Sequence, residues 1–234
     1  MRTTVVIVAA GMGRRMNAST TKQLIEIGGH PILWHTLMAF QGMSIIDEIV
    51  LVVKEEERSY IEECLIKKSN LTKVTHVVNG GNERSDSVLN GLAVVAEEGV
   101  VLIHDGARPF IEETSVVKLM EALTSHDGAI LAIPAKDTIK AVNVNHEVTN
   151  TYDRKLLWQV QTPQAFKTSL LKKAFAEVHQ IKTMIYDDAM LVEVVTDSPI
   201  MVVEGMDTNI KITTPFDLIV GQAIYSQSRG DTHV

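Results

Sequence analysis

Hydrophobic runs of strand length alternate with amphipathic stretches along most of this chain. Six runs rich in Val, Ile and Ala have the length of strands: Val5–Ala9, Ile49–Val53, Val74–Val78, Val100–Ile103, Ala129–Ile133 and Ile200–Val203. Four stretches between them carry apolar residues at helical spacing: Ile32–Phe40, Glu55–Lys67, Ser85–Glu97 and Thr114–Leu123. Buried strands that alternate with helices predict an α/β fold, in which a mostly parallel twisted sheet is flanked by helices.

Glycines and an aspartate directly follow three of these predicted strands: Gly11 and Gly13, Gly80 and Gly81, and Asp105 and Gly106. In sheets of this kind ligands bind beyond the carboxyl ends of the strands. We therefore expect all three loops to meet at one edge of the sheet.

The alternation breaks within residues 135–157. Two short, polar segments, Asp137–Val142 and Val148–Tyr152, flank a turn at 143–146, a pattern that predicts a projecting β-hairpin. It is either a surface excursion or a dimer arm that carries residues to a neighbouring site. A lone two-stranded ribbon is marginal unless it packs on something, which favours the arm. The chain is thus predicted to be a single domain, 1–234, with this β-arm as an excursion.

Composition narrows the class of protein. The 234 residues are 45% hydrophobic and 22% charged, which is ordinary for a globular enzyme. The net charge of −7 argues against sequence-independent binding to nucleic acid or to an anionic membrane. The single cysteine, Cys64, excludes an intramolecular disulfide and fits the reducing cytosol. No long apolar segment is present, so we expect a cytoplasmic protein with neither secretion signal nor membrane span.

The loop after the first strand combines glycines with cations. It reads A-A-G-M-G-R-R-M over residues 9–16 and T-K-Q over 21–23. The glycines allow a sharp bend that turns backbone N–H groups toward an anion, and Arg15 and Lys22 add positive charge. This combination points to a triphosphate. The alternative is an ordinary glycine turn, because neither G-x-G-x-x-G nor G-x-x-x-x-G-K-[ST] is matched.

A second cluster, G-G-N-E-R-S-D-S, spans residues 80–87 at a predicted helix start. The backbone of Gly80 and Gly81, with the Ser87 hydroxyl, can discriminate the exocyclic amine of a base. Helix capping by Asp86 and Ser87 is the simpler interpretation.

A third cluster, H-D-G-A-R-P, spans residues 104–109. Asp105 can hold a divalent ion or a ribose hydroxyl, and Arg108 can face phosphates. The alternative is a plain turn pair between these two side chains. His104 is expected to be structural rather than a catalytic base.

Together the motifs resemble one family. A-A-G-x-G-x-R-M with T-K-Q, G-G-x-E-R-x-x-S-V, H-D-G-A-R-P, D-T-I-K, W-x-x-Q-T-P-Q-A-F and V-E-G-x-x-x-N-I-K-I-T-T-P are similar in order and spacing to 2-C-methyl-D-erythritol 4-phosphate cytidylyltransferases, from about residue 3 to about 225. The resemblance implies a Rossmann-like nucleotidyltransferase fold. It also implies transfer of a cytidylyl group from CTP to methylerythritol phosphate, with Mg²⁺ and release of pyrophosphate, in non-mevalonate isoprenoid precursor synthesis.

The resemblance also implies site residues. The catalytic cations would be Arg15, Lys22, Arg154 and Lys211. The substrate-binding residues would be Ala9, Ala10, Gly11, Gly13, Gly80, Gly81, Asn82, Ser87, Asp105, Gly106, Arg108, Thr138 and Thr162. Asp105 is the nearest candidate ligand for Mg²⁺, and the arm, residues 135–157, would join a homodimer. The chain departs from the family pattern at Asn82, Tyr186 and Thr208.

Three other functions compete with this one. A ribitol 5-phosphate cytidylyltransferase would share the first loop and the T-P-Q segment, although H-D-G-A-R-P and Trp158 favour the methylerythritol type. An NAD-dependent oxidoreductase is disfavoured by the missing third glycine and by basic residues after the loop. A non-catalytic nucleotide sensor would be expected to lack at least one of the four catalytic cations, and all four are present.

Overall fold

The computed structural model describes residues 1–11, 22–178, 181, 183–228 and 230, and of Lys22 only the backbone. The strands of this part of the chain are β1 (Thr3–Val8), β2 (Glu26–Ile27), β3 (His30–Pro31), β4 (Glu48–Val53), β5 (Val74–Asn79), β6 (Val100–Asp105), β7 (Gly128–Pro134), β8 (Lys140–Val142), β9 (Val148–Thr151), β10 (Trp158–Lys167) and β11 (Ile200–Glu204). The α-helices are α1 (Ile32–Gly42), α2 (Glu55–Tyr60), α3 (Arg84–Leu92), α4 (Glu113–Ala122), α5 (Thr168–Glu177), α6 (Asp188–Val195) and α7 (Pro215–Ser228). A π-helical segment, Ile61–Lys67, continues α2.

Seven of these strands form the central sheet, in the order β11-β7-β10-β6-β1-β4-β5. β1 runs parallel to both β4 and β6, and β5 and β11 are also parallel to their neighbours. Only β10, among the strands of this sheet, runs antiparallel to its neighbours, β6 and β7. The mostly parallel sheet flanked by helices is therefore confirmed.

Helices cover both faces of the sheet because side chains alternate along each buried strand. On β1, Val5 and Ile7 belong to the core that contains α1 and α4, whereas Val6 belongs to the core beneath α3, α5 and α6. β4 and β6 are buried along their whole length. Their continuous apolar runs therefore reflect burial on two faces.

The six predicted strands and the four predicted helices are all present, with shifted ends. The helix predicted over Ser85–Glu97 ends at Leu92. Cys64, the single cysteine, packs against the core and is partly buried. No helix among the described residues has both the length and the hydrophobicity that a membrane crossing requires.

The pattern analysis did not predict β10, a ten-residue strand from Trp158 to Lys167. Its buried middle carries polar side chains, among them Gln161, Thr162 and Gln164. These side chains are hydrogen-bonded to neighbouring elements, so the strand is buried without being apolar. A hydropathy pattern therefore does not reveal it.

The predicted hairpin is present as a two-stranded antiparallel ribbon, β8 and β9, apart from the main sheet. Its turn is closed by the Asn143 N–H, which donates to the Glu147 carbonyl at 3.0 Å. That this ribbon serves as a dimer arm stays a prediction.

Candidate active site

A cleft of about 510 Å³ lies where β1, β5 and β6 reach their carboxyl ends. The sequence prediction that the loops meet at one edge is confirmed. The predicted site residues that line this cleft are Ala10, Gly11, Gly80, Gly81, Asn82, Ser87, Asp105 and Lys211.

The glycine at position 80 lets two loops approach closely. A Cβ there would lie 2.2 Å from Ala10 Cβ and 2.9 Å from Ser87 Oγ. Gly106 makes a similar approach, since its Cβ would lie 3.0 Å from Ala9 Cβ, and its N–H donates to the Val8 carbonyl at 2.9 Å. Small residues therefore set the shape of the cleft where the loops meet.

The loop before α3 is held by local hydrogen bonds. Asp86 accepts from the Glu83 N–H at 3.0 Å, so the capping role predicted for Asp86 is confirmed. The Ser87 hydroxyl accepts from the Gly81 N–H and donates to the Glu83 carbonyl, both at 3.1 Å. This arrangement holds a hydroxyl and a glycine backbone at the cleft wall, where base recognition is predicted.

Asp105, at the end of β6, is surrounded by three cationic side chains. Its Oδ2 lies 2.8 Å from Lys211 Nζ and 3.6 Å from Arg108 Nε, and its Oδ1 lies 3.4 Å from Arg84 Nε. Burial alone would raise the pKa of Asp105, but the charges of Lys211, Arg84 and Arg108 outweigh burial and hold it well below the usual range. The predicted turn pair with Arg108 is thus part of a larger charge cluster.

This cleft brings glycine loops together with the cationic side chains of Arg84 and Lys211, which can face the phosphates of a nucleotide. The family model described as 2-C-methyl-D-erythritol 4-phosphate cytidylyltransferase (IspD) matches residues 3–227. The chain belongs to this family. It is 47% identical over 229 residues to the 2-C-methyl-D-erythritol 4-phosphate cytidylyltransferase of Alkaliphilus metalliredigens, covering 97% of this chain and 95% of that one.

Other comparisons agree with this assignment. The Bacillus velezensis 2-C-methyl-D-erythritol 4-phosphate cytidylyltransferase is 43% identical over 234 residues, which is the whole of both chains. The crystal structure of 4-diphosphocytidyl-2C-methyl-D-erythritol synthase from Anaerococcus prevotii superposes with a TM-score of 0.85 at 31% identity, covering 96% of this chain and 98% of that one.

In this IspD family member, Arg108 packs inward rather than lining the cleft. Its Nη1 donates to the Asn209 carbonyl at 2.7 Å, and Asn209 Nδ2 in turn donates to the Thr162 carbonyl at 2.9 Å. Burial lowers the pKa of Arg108 from its usual value. Arg108 therefore ties the segment that carries Lys211 to β6, and a contact with phosphate remains a prediction.

Thr162 is also buried, and its hydroxyl is engaged inside the protein. Its Oγ1 accepts from the Asp105 N–H at 3.1 Å and lies 3.1 Å from His104 Nδ1. His104 Nε2 lies 3.0 Å from the Arg108 carbonyl, which can only accept, so this nitrogen carries the proton and Nδ1 accepts from Thr162. His104 is thus a fully buried structural histidine, as expected, and the substrate contact of Thr162 remains a prediction.

Thr138 and Arg154 lie on the β-arm and do not line the cleft. Arg154 is exposed, and its Nη1 donates to the Lys136 carbonyl at 3.0 Å. Gly13 and Arg15 lie outside the described residues, as does the side chain of Lys22. Of the two predicted catalytic cations whose side chains the structure describes, Lys211 lines the cleft and Arg154 does not.

Three residues at or beside the cleft were not predicted from the sequence to be functional: Arg84, Asp188 and Gln23. Arg84 lines the cleft and pairs with Asp188 through two hydrogen bonds of 2.8 and 3.1 Å. Gln23 is buried at the cleft and donates from Nε2 to the Gly11 carbonyl at 3.4 Å. Both residues stand inside motifs quoted above, Gln23 directly after Lys22 and Arg84 between Asn82 and Ser87, and this position is the signal by which the sequence could have indicated them.

Proposed function

We propose that this protein transfers the cytidylyl group of CTP to 2-C-methyl-D-erythritol 4-phosphate and releases pyrophosphate, in isoprenoid precursor synthesis. The observation that carries the proposal is the family match over residues 3–227, which spans every loop of the cleft. The cleft supports the proposal as well, because its glycine loops and its cationic side chains lie at the same edge of the sheet and can bind a triphosphate together.

The reaction joins two anions. A phosphate oxygen of the acceptor attacks the α-phosphorus of CTP, and pyrophosphate leaves. The nucleophile is already ionised near neutral pH, so no general base is required, and the barrier comes from repulsion and from charge on the phosphoryl oxygens. Cations fixed in advance lower both contributions.

The described side chains supply such a field. Arg84, Arg108 and Lys211 face the carboxylates of Asp105 and Asp188, so this cluster of three cations and two carboxylates carries one net positive charge, and its Arg84 and Lys211 line the cleft. We assign Lys211 and Arg154 to aiming the acceptor phosphate. Arg15 and Lys22 are assigned to neutralising the triphosphate and the transition state.

A Mg²⁺ ion belongs to the proposal. Proteins hold Mg²⁺ in such sites through one or two carboxylates together with substrate phosphates, and Asp105 places one ionised carboxylate at the cleft. Asp105 is the carboxylate that we assign to the ion, and its two oxygens are shared with Arg84, Arg108 and Lys211. When bound, the ion would offset negative charge on the phosphates.

We further propose a homodimer joined by the β-arm. Apolar side chains on the arm face solvent, with exposed fractions of 95% for Val144, 79% for Leu156 and 60% for Val148. Such a surface is stabilised when a second protein surface covers it. A second copy would then receive Thr138 and Arg154 at its own cleft. A cytoplasmic location fits the single free cysteine.

The test is pyrophosphate release from ATP, CTP, GTP and UTP, each with methylerythritol phosphate, with ribitol 5-phosphate or with no acceptor. We expect release only with CTP and methylerythritol phosphate in the presence of Mg²⁺. Pyrophosphate release with ribitol 5-phosphate instead would show that the protein is a ribitol 5-phosphate cytidylyltransferase. Nucleotide binding without any pyrophosphate release would support a non-catalytic nucleotide sensor.

A further inference from the structure

Arg84 is shared by two carboxylates that come from different parts of the fold. It is the first residue of α3, and its Nη1 and Nη2 donate to Oδ1 and Oδ2 of Asp188 at 3.1 and 2.8 Å. Its Nε faces Oδ1 of Asp105 at 3.4 Å. One guanidinium therefore links the end of β6 to the start of α6.

Asp188 is a fixed partner for this guanidinium. Its side chain is 3% exposed, and it stands at the first turn of α6. The neighbouring Asp187 accepts from the Met190 N–H at 2.8 Å and from Gln164 Nε2 at 2.9 Å, so the helix start is anchored to β10. A planar guanidinium held by two parallel hydrogen bonds has a defined orientation.

The orientation of Arg84 then determines which oxygen of Asp105 remains for the other cations. Arg84 engages Oδ1, while Lys211 Nζ and Arg108 Nε lie on the side of Oδ2. Without Arg84, Asp105 would be free to rotate and to engage Lys211 and Arg108 with both oxygens. The ammonium of Lys211, which already lies 2.8 Å from Oδ2, would then be held by both oxygens and would be less available to an incoming phosphate.

We infer that Arg84 is a positioning residue for cytidylyl transfer, held by Asp188 and acting through Asp105 on the ammonium of Lys211. The inference rests on the proposed function. It assigns Arg84 a role in placing the charge that meets the acceptor, and none in binding CTP.

The test is a double-mutant cycle between Arg84 and Asp105. We compare Arg84→Gln, Asp105→Asn and the double variant by steady-state pyrophosphate release at saturating CTP and methylerythritol phosphate. Each single change is expected to lower kcat by roughly 10- to 100-fold, the scale of a catalytic group misplaced by about 1 Å. Because Arg84 acts through Asp105, the double variant should be about as slow as Asp105→Asn alone.

Two further variants separate geometry from charge and from folding. Arg84→Lys keeps the charge but cannot engage both carboxylates, so it should lose most of the kcat that Arg84→Gln loses. Asp188→Asn frees Arg84 while leaving Asp105 intact, and should lower kcat in the same direction. Arg2→Gln is the matched control, because Arg2 pairs with Glu48 before β1, remote from the cleft. It should retain wild-type kcat.

Thermal unfolding of every variant shows whether a loss of kcat follows a loss of structure. Multiplied losses in the Arg84–Asp105 cycle, or full kcat in Arg84→Lys, would overturn the inference. It would also be overturned by a rise in KM for CTP at unchanged kcat, which indicates direct nucleotide contact. Failure of the wild type to release pyrophosphate would instead refute the proposed function, so the two failures are distinguishable.

Discussion

At the scale of single residues, the buried carboxylates at and beside the cleft of this cytidylyltransferase are paired with cations. Asp105 and Asp188 are both buried, and each has a cationic partner within 3 Å. A buried carboxylate without such a partner would be strongly destabilising. The same pairs hold the cations in fixed positions, so stability and the proposed catalysis depend on one set of contacts.

The first prediction concerns the cations of the N-terminal loop. Arg15→Ala and Lys22→Ala should each lower kcat by roughly 100-fold or more, because each removes charge that would stabilise the transition state. Pyrophosphate release at saturating substrates measures the effect. Lys68→Ala, which changes an exposed lysine beyond the π-helical segment, is the control. Near-normal turnover of Lys22→Ala would refute its assignment.

The second prediction concerns His104 and acid stability. Burial lowers the pKa of His104 to about 4, whereas the pKa of a histidine in an unfolded chain is near its usual value of 6.5. As pH falls below about 6.5, His104 binds a proton in the unfolded chain but stays neutral in the folded chain. The free energy of unfolding therefore falls progressively toward pH 4. Between pH 6.5 and pH 5 this one group should cost about 2 kcal/mol.

Urea unfolding followed by circular dichroism at pH 7.5 and pH 5.0 measures this loss. His104→Gln should be less stable at pH 7.5 but should lose less stability on acidification. His76→Gln alters an exposed histidine and should keep the wild-type pH dependence. Equal pH dependence in wild type and His104→Gln would show that His104 does not carry the effect.

At the scale of secondary-structure elements, the parallel direction of the strands determines where the site lies. β1, β4, β5 and β6 are parallel, so their carboxyl ends and following loops lie at the same edge. The loops then meet at small residues, and Gly80 approaches Ala10 so closely that a Cβ on Gly80 would lie 2.2 Å from Ala10 Cβ.

The third prediction tests this approach. Gly80→Ala should raise KM for CTP, because the two loops must separate to admit the methyl group. It should also lower the free energy of unfolding by about 1–3 kcal/mol, the usual cost of overpacking. Gly42→Ala at the end of α1 is the matched control, since a Cβ there meets nothing within 4 Å. Unchanged CTP kinetics in Gly80→Ala would contradict the proposed base-binding site.

At the scale of the whole molecule, the two predicted catalytic cations whose side chains are described lie apart, Lys211 on the main body and Arg154 on the arm. Lys211 lines the cleft, whereas Arg154 is exposed on the arm and does not line it. A dimer in which each arm reaches the cleft of the other subunit would reunite them. In a two-fold symmetric pair each site would then use residues from both chains.

The fourth prediction follows from this division. Arg154→Ala and Lys211→Ala should each be nearly inactive alone, through weakened use of the acceptor. When the two are unfolded together at equal amounts and refolded, half of the dimers are mixed and hold one intact site. About a quarter of wild-type activity should return. No recovery, with dimers shown by light scattering, would mean that each subunit uses its own arm.

The local pattern of the chain was sufficient to predict the parallel part of the sheet and the loops at its edge. Strand and helix periodicity is a property of neighbouring residues, and parallel strands place the loops that follow them at one edge of the sheet. The glycines and Asp105 were recognisable because they follow predicted strands, whereas Lys211 was assigned only through the resemblance of its motif to the family.

Only the tertiary structure decided which distant groups would meet. β10 enters between β6 and β7 with polar residues buried by hydrogen bonding, which no hydropathy period records. Arg84 and Asp188 are 104 positions apart, and neither residue shows by itself that it will be paired. Periodicity encodes burial, whereas the partner of a buried charge depends on how helices and strands dock, and that is determined by the packing of the whole chain.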